Sequence, residues 1–294
     1  MLQLNVLQNP ARLDVFEPKP KPRPKPKIRQ PVAIAIGMLC EGGILVATDS
    51  QTTYGTIKSQ DAQKVRLMGV ANCTVMIGES GNGYRSQRAI EWIEQLGQNT
   101  AVTDYRSIAE IGSAAMLRIK QEMRQQRLNC TMEELAEYIK QEYEDCTLMI
   151  AYYFGGKPYI FEVSLLIGVA NQMVNENSRH FTVMGSGGEL ALYLMREFTM
   201  PKMETNTAMA ALIYTIGEVK KHDGYCSGKT RCGWVGPPGC GTLHPQEIVD
   251  DIAAEIERYN EKSKGHRNKQ IAAMLESVTR KWMRKLNLTV RPMH

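Results

Sequence analysis

The chain has 294 residues, 43% of them hydrophobic, and a formal net charge of +5. That length suits one large domain with an extension or two small domains, and the composition is that of an ordinary globular protein. No run of about 18 apolar residues is present, which excludes a membrane-spanning helix, and the odd, scattered set of seven cysteines reads as reduced thiols in a cytoplasmic protein.

The charge is concentrated at one end. Up to Val32 there are seven basic residues (Arg12, Lys19, Lys21, Arg23, Lys25, Lys27 and Arg29) and two acidic ones (Asp14 and Glu17). That accounts for the whole excess; the remaining 262 residues balance, 29 against 29, so the body carries no charge-based case for nucleic acid. The first residues lack a basic stretch followed by an apolar core, so no secretory leader is expected. Glu17 to Lys27, EPKPKPRPKPK, alternates proline with basic side chains. Fixed φ angles and like-charge repulsion predict an extended, polyproline-like arm over 1–31. It reads as a solubilising spacer or as a basic arm for an acidic partner. No aromatic side chains are interleaved to stack on bases.

From Val32 the pattern becomes strand. In VAIAIGMLCEGGILVATDS, Val32, Ile34 and Ile36 alternate with small residues, and GILVAT follows a Gly-containing turn, which predicts a β-hairpin. With Glu41-Gly42 as the turn, Asp49 falls opposite the Ala33–Ile34 step. A second hairpin is predicted at Lys64–Met68 and Thr74–Ile77. Gly81–Gly83 leads into a helix carrying Ile90, Ile93 and Leu96; a longer helix follows from about Tyr105 to Arg127, and a shorter one from Leu135 to Tyr143. Strands return at CTLMIAYYF, KPYIFEVSLL and HFTVMG, followed by helices over Glu189–Phe198 and Thr207–Lys221. The order strands, helices, strands, helices predicts an α+β protein of two sheets packed face to face between helix layers. Two charged helical stretches beyond Pro245, running to about Leu286, read as a C-terminal extension over 245–294, useful for packing or assembly, leaving 32–244 as the main domain.

Asp49, at the end of an apolar strand, needs a partner, and Lys64 within DAQKVRLMG supplies a candidate. Such a pair beside a strand's first residue either tunes a nucleophile or an N-terminal amine, or is an ordinary ion pair at a sheet end. Cys226, Cys232 and Cys240 lie in the Gly- and Pro-rich stretch CSGKTRCGWVGPPGC, read as a loop; their spacings are not those of a zinc site, even with His222 and His244 nearby. GSGGE lacks the Lys-Ser/Thr of a phosphate loop. No metal and no cofactor is expected.

The pattern GGILVATDSQTT…K resembles the β-type subunits of the proteasome and the peptidase subunit of the related bacterial two-component ATP-dependent protease. IGESGNG is similar to that family's oxyanion-binding loop, TVMGSGGELAL to its Gly-Ser-Gly turn into a helix, and HDGYCSG to its segment with an aspartate and a serine near the active site. These motifs stand in the family's order over roughly Val32 to Gly233. The resemblance implies the N-terminal-nucleophile hydrolase fold, a four-layer αββα sandwich. It also implies threonine-type peptide-bond hydrolysis, a homo-oligomeric ring, a peptide or protein substrate and an ATP-dependent unfoldase as partner. By the same resemblance Asp49 pairs with the catalytic Lys64, across a loop one residue shorter than the family's. Gly81 lies at the oxyanion position after a hairpin about three residues longer. Ser186 and Asp223 support the N-terminal amine, and Cys226 takes the place of a second supporting serine, with Ser227 adjacent. Glu79 falls at the main specificity pocket, where its carboxylate favours basic side chains, unless it is an exposed loop glutamate; Thr53 is expected to border the substrate.

The departure is at the centre. Counting back from Asp49, the attacking threonine belongs at position 33, which is Ala33. A methyl group has no oxygen to attack a carbonyl or to cleave its own preceding bond, so the arm is expected to remain attached and occupy the mouth of the cleft. Cys40 is about 20 Å along the strand from position 33, and Thr52 and Thr53 are mid-chain with no amine. The chain is therefore expected to be catalytically silent, as a natural pseudoenzyme or as a Thr→Ala replacement. The alternatives are an amidohydrolase with an unrecognised nucleophile, and a scaffold or binding module using its basic arm.

Overall fold

The structure is a computed structural model that describes residues 33–54, 57–127, 130–141, 145–174, 180–198, 202–237, 240–262, 273, 275, 277 and 279–281. The basic arm lies outside the described residues, as does most of the second C-terminal stretch, of which Leu275 is buried against the core.

The strands are β1 (Ile34–Cys40), β2 (Gly43–Asp49), β3 (Thr52–Tyr54), β4 (Ile57–Ser59), β5 (Val65–Val70), β6 (Cys73–Gly81), β7 (Cys146–Phe154), β8 (Lys157–Ser164), β9 (Ala170–Gln172), β10 (Phe181–Gly185), β11 (Thr230–Val235) and β12 (Gly241–Leu243). The helices are α1 (Gly83–Gln98), α2 (Ser107–Gln126), α3 (Met132–Gln141), α4 (Gly188–Phe198), α5 (Thr205–His222) and α6 (Gln246–Lys262). One antiparallel sheet runs β10-β1-β2-β11-β12, the other β5-β6-β7-β8-β9, and β3-β4 form a separate hairpin.

Strand periodicity makes the layers. In β1, Ile34, Ile36 and Met38 face outward onto α4, α5 and α6, while Ala35 and Leu39 face the opposite sheet. Both faces are covered, so all seven residues of β1 and all seven of β2 are buried. Ile77, Leu148, Ile150 and Val163 turn the other way, onto α1 and α2. Between the sheets lie Val46, Val65, Met76, Met149 and Ile160. The result is α+β, a four-layer αββα sandwich. Close approach of the sheets depends on small residues: a Cβ at Gly78 would press on Val46 at 2.9 Å.

Two departures from expectation have physical reasons. The stretch around Cys232, read as a loop, contains β11, which pairs with β2 from Thr230↔Asp49 to Val235↔Ile44. Its Gly- and Pro-rich flanks obscure a short strand in which Thr230 and Cys232 are buried on one face and Val235 on the other. The three-residue strands β3, β4, β9 and β12 were not anticipated; they are too short for periodicity to register. The helix α6, in the stretch read as useful for packing or assembly, contributes Val249, Ile252 and Ile256 to the core beneath α5.

Replacing Ile252 by alanine should therefore lower the unfolding free energy by about 2–4 kcal/mol in urea titrations. A loss below about 0.5 kcal/mol would show that α6 does not share this core.

Candidate active site

The β1–β2 hairpin turns at Glu41 and Gly42, the latter at φ +74°, and its register pairs Cys40 with Gly43 and Ala35 with Thr48. Continued by one step, that register sets Asp49 opposite Ile34. The carboxylate is fully buried. Its Oδ1 accepts from Ile34 N at 3.2 Å and from Lys64 Nζ at 3.1 Å. Its Oδ2 accepts from Gln51 N at 3.2 Å and Ser227 N at 3.3 Å. Burying a carboxylate is costly unless its lone pairs and charge are met; here three backbone donors and the lysine cation meet them. Lys64, 6% exposed, is itself fixed because its carbonyl accepts from Glu79 N at 2.9 Å.

A second cluster forms on the other side of residue 33. Ser186 Oγ donates to Asp223 Oδ2 at 2.7 Å and lies 3.4 Å from the Ala33 carbonyl oxygen. Cys226 Sγ is 3.4 Å from the same Asp223 oxygen, and Tyr225 N donates to Asp223 Oδ1 at 2.9 Å. Burial and the negative charges of Asp49 and Asp223 hold the Cys226 thiol far above its ordinary pKa, so it stays protonated. Gly185, at φ +101°, lets β10 pass against Ala33, since a Cβ there would collide with the Ala33 carbonyl. Ala33 is fully buried.

The third part is the end of β6. Glu79 gives its N–H to Lys64 on the β5 side, and Asn82 gives its N–H to Asp145 on the β7 side at 2.9 Å. By strand alternation the N–H of Gly81 points as that of Glu79 does, towards β5, which starts only at Val65. Gly81, at φ +96°, lies with Ser80 and Lys64 on the wall of a cleft of about 350 Å³ that also includes Thr52, Ala62 and Glu79.

The structure thus brings Asp49, Lys64, Ser186, Asp223 and Cys226 around Ala33, with Gly81 on the neighbouring cleft. Glu79 lines that cleft and is not an exposed loop glutamate. It is a strand residue, 5% exposed, and its Oε1 accepts from Arg66 Nε at 2.7 Å. Burial raises its carboxyl pKa, and Arg66 partly offsets the shift. Its charge is therefore answered within the chain by Arg66. Thr53 pairs with Lys58 across β3–β4, and only its backbone is described. Cys226, Cys232 and Cys240 part company: the first joins Asp223, the second is buried in β11, the third is exposed. Among the described residues no cluster of His, Cys, Asp and Glu could hold a metal.

Sequence reasoning missed Gln51, Arg66, Ser80 and Lys220, and named Ser227 only as the neighbour of Cys226. Gln51 Nε2 donates to Tyr225 O at 3.2 Å, and Ser227 Oγ donates to Gln51 Oε1, tying the two site loops together. Lys220, one turn before Asp223, donates to Gly228 O and Thr230 Oγ1, both at 2.8 Å. The only sequence signal for Gln51 was its place two residues after Asp49, where an aspartate commonly accepts a backbone N–H. Nothing in the spacing marks Lys220.

No family model and no curated protein matches the chain. Solved structures do. Anbu (ancestral beta-subunit) from Yersinia bercovieri superposes with a TM-score of 0.60 at 11% identity, covering 76% of this chain and 93% of that one. Anbu from Hyphomicrobium sp. strain MC1 gives 0.57 at 13%, and its Gly-1 mutant 0.59 at 12%, each covering 80% of this chain and 98% of the other. The chain has the Anbu fold. At these identities the likeness extends to the fold alone.

Within that frame Lys220 makes a measurable prediction. Burial pushes its pKa from 10.5 down to about 8. Between those values the folded state has released a proton that the unfolded chain still holds, so this residue's contribution to stability rises with pH over that window. The unfolding free energy of the native chain minus that of Lys220→Met should climb by up to about 3 kcal/mol from pH 8 to 10.5. A flat difference would show that Lys220 is not buried as described.

Proposed function

We propose that this chain is a proteasome-like, threonine-peptidase-type subunit whose catalytic machinery is assembled around a residue that cannot react. The observation that carries this reading is the Asp49 carboxylate, which joins the backbone at Ile34 to Lys64 Nζ. A charged pair buried against the backbone next to residue 33 serves a hydroxyl at residue 33 better than it serves stability, since buried ion pairs are weak stabilisers. In a chain with threonine there, Lys64 stabilises the reacting oxygen. Ser186 and Asp223, beside the Ala33 carbonyl, hold the α-amine that acts as base, and Gly81 N–H receives the oxyanion. Ala33 supplies the backbone and lacks the nucleophile.

The same reading makes the basic arm a retained segment, because self-cleavage before residue 33 needs the missing hydroxyl. Cys40 is a poor substitute: it is buried near the hairpin turn, and burial pushes its thiol to about 11. Assembly into a homo-oligomeric ring in the cytoplasm, peptide or protein substrates, and service to an ATP-dependent unfoldase belong to the proposal through the Anbu-like fold.

The unaltered chain should show no turnover of short basic or hydrophobic peptides. The Ala33→Thr variant lacking residues 1–32, so that the introduced threonine carries the free α-amine, should exceed it by roughly a hundredfold or more. Turnover by the unaltered chain overturns the silent reading. A folded, assembled Ala33→Thr variant without activity overturns the peptidase reading.

A further inference from the structure

Ser80 is enclosed yet unpaired. The residue is 1% exposed, and its hydroxyl finds no hydrogen-bond partner among the described residues. A buried hydroxyl left unpaired is destabilising, so this one needs a reason. Its neighbours point to residue 33. Ala35 on β1 and Gly78 on β6 face each other between the sheets: a Cβ on Gly78 would stand 3.6 Å from the Ala35 methyl carbon. Strand alternation carries the same facing arrangement two residues towards the site, from Ala35 to Ala33 and from Gly78 to Ser80. Gly185, paired with Ile34, gives the same answer. A Cβ there would stand 2.0 Å from the Ala33 carbonyl oxygen and 2.9 Å from Ser80 Oγ, so both groups crowd one point. Ala33 is fully buried, and its methyl group can neither give nor take a hydrogen bond.

We propose that Ser80 positions the nucleophile: its hydroxyl is the hydrogen-bond partner of a side-chain hydroxyl at residue 33, and it is unpaired here because Ala33 has none. The assignment rests on reading position 33 as the place of the attacking residue. Lys64 then meets that hydroxyl from the Asp49 side and Ser80 meets it from the Gly185 side, which fixes its rotamer for attack. Ser80 is no substitute nucleophile itself, since among the described residues no group within hydrogen-bonding reach could take its proton. Thr48 supplies an internal control. Its Oγ1 is also buried without a partner, but Thr48 sits on β2 opposite Ala35, one step away from residue 33.

The test is thermal unfolding of the full-length chain carrying Ala33→Thr or the isosteric Ala33→Val, each with and without Ser80→Ala, with the intact mass recorded for every sample. The melting temperature of Ala33→Thr minus that of Ala33→Val should be about 2–4 °C higher with Ser80 in place than with Ser80→Ala. Thr48→Val, used instead of Ser80→Ala, should leave that difference unchanged. In the unaltered chain Ser80→Ala should keep or raise the melting temperature, because it deletes an unpaired hydroxyl. A difference indifferent to Ser80, or a clear fall on Ser80→Ala in the unaltered chain, overturns the proposal. Equal dependence on Thr48 overturns the assignment to Ser80. None of these readouts needs turnover, so the pairing is judged even where the peptidase reading fails. Should Ala33→Thr trim its own arm, the trimming rate replaces the melting temperature, and Ser80→Ala should slow it about tenfold. In the form lacking residues 1–32, Ser80→Ala should lower kcat by a similar factor at unchanged KM; a raised KM at unchanged kcat would make Ser80 a substrate contact and overturn the positioning role.

Discussion

The buried Asp49 carboxylate is the constraint to which the rest of the site answers. A fully buried anion on the central β1–β2 hairpin must be met on every side, and the donors that meet it come from four places in the chain. Ile34 N comes from the neighbouring strand, Lys64 Nζ from the residue that precedes β5 of the opposite sheet, Gln51 N from the loop that follows, and Ser227 N from the segment after α5. Each belongs to an element that also carries a site residue. Satisfying one charge therefore sets the position of residue 33, of the lysine, and of the Asp223–Cys226 turn.

Packing makes that convergence possible. The sheets approach closely because Ala35 and Gly78 face each other between them, which lets Lys64 on one side reach Asp49 on the other. Gly185 does the same on the other flank, bringing Ser186 to the Ala33 carbonyl. Lys220 braces the back of the site by holding Gly228 and Thr230, the latter paired directly with Asp49. A site so cross-braced resists piecemeal change, because removing any one charged member leaves another buried without a partner.

Parts of this were legible in the sequence because they follow from local rules. The turn at Glu41-Gly42 and the period of two fix the hairpin register, and the register alone sets Asp49 opposite Ile34. The IGESGNG loop, the Gly-Ser-Gly turn and the aspartate of HDGYCSG were put in order by resemblance to a family, not by local rules. What was hidden depends on tertiary contacts that spacing does not encode. Arg66 meets Glu79 across adjacent strands, a pairing that spacing along the chain does not reveal. Lys220 finds its acceptors in a loop whose path the sequence does not specify. β11 is a strand because β2 offers it a long antiparallel edge, although its flanking glycines and prolines read as loop. The isolation of Ser80 is visible only once its neighbours have been placed.

The central claim is that Asp49 and Lys64 act as one buried unit beside residue 33, and a double-mutant cycle measures it directly. Asp49→Asn, Lys64→Met and the double variant, each unfolded in urea at pH 7, should give a coupling free energy above about 1 kcal/mol, with the double variant recovering part of the loss of either single change. Additivity within about 0.3 kcal/mol would mean that the two groups do not meet, and the account of the site would be contradicted at its foundation.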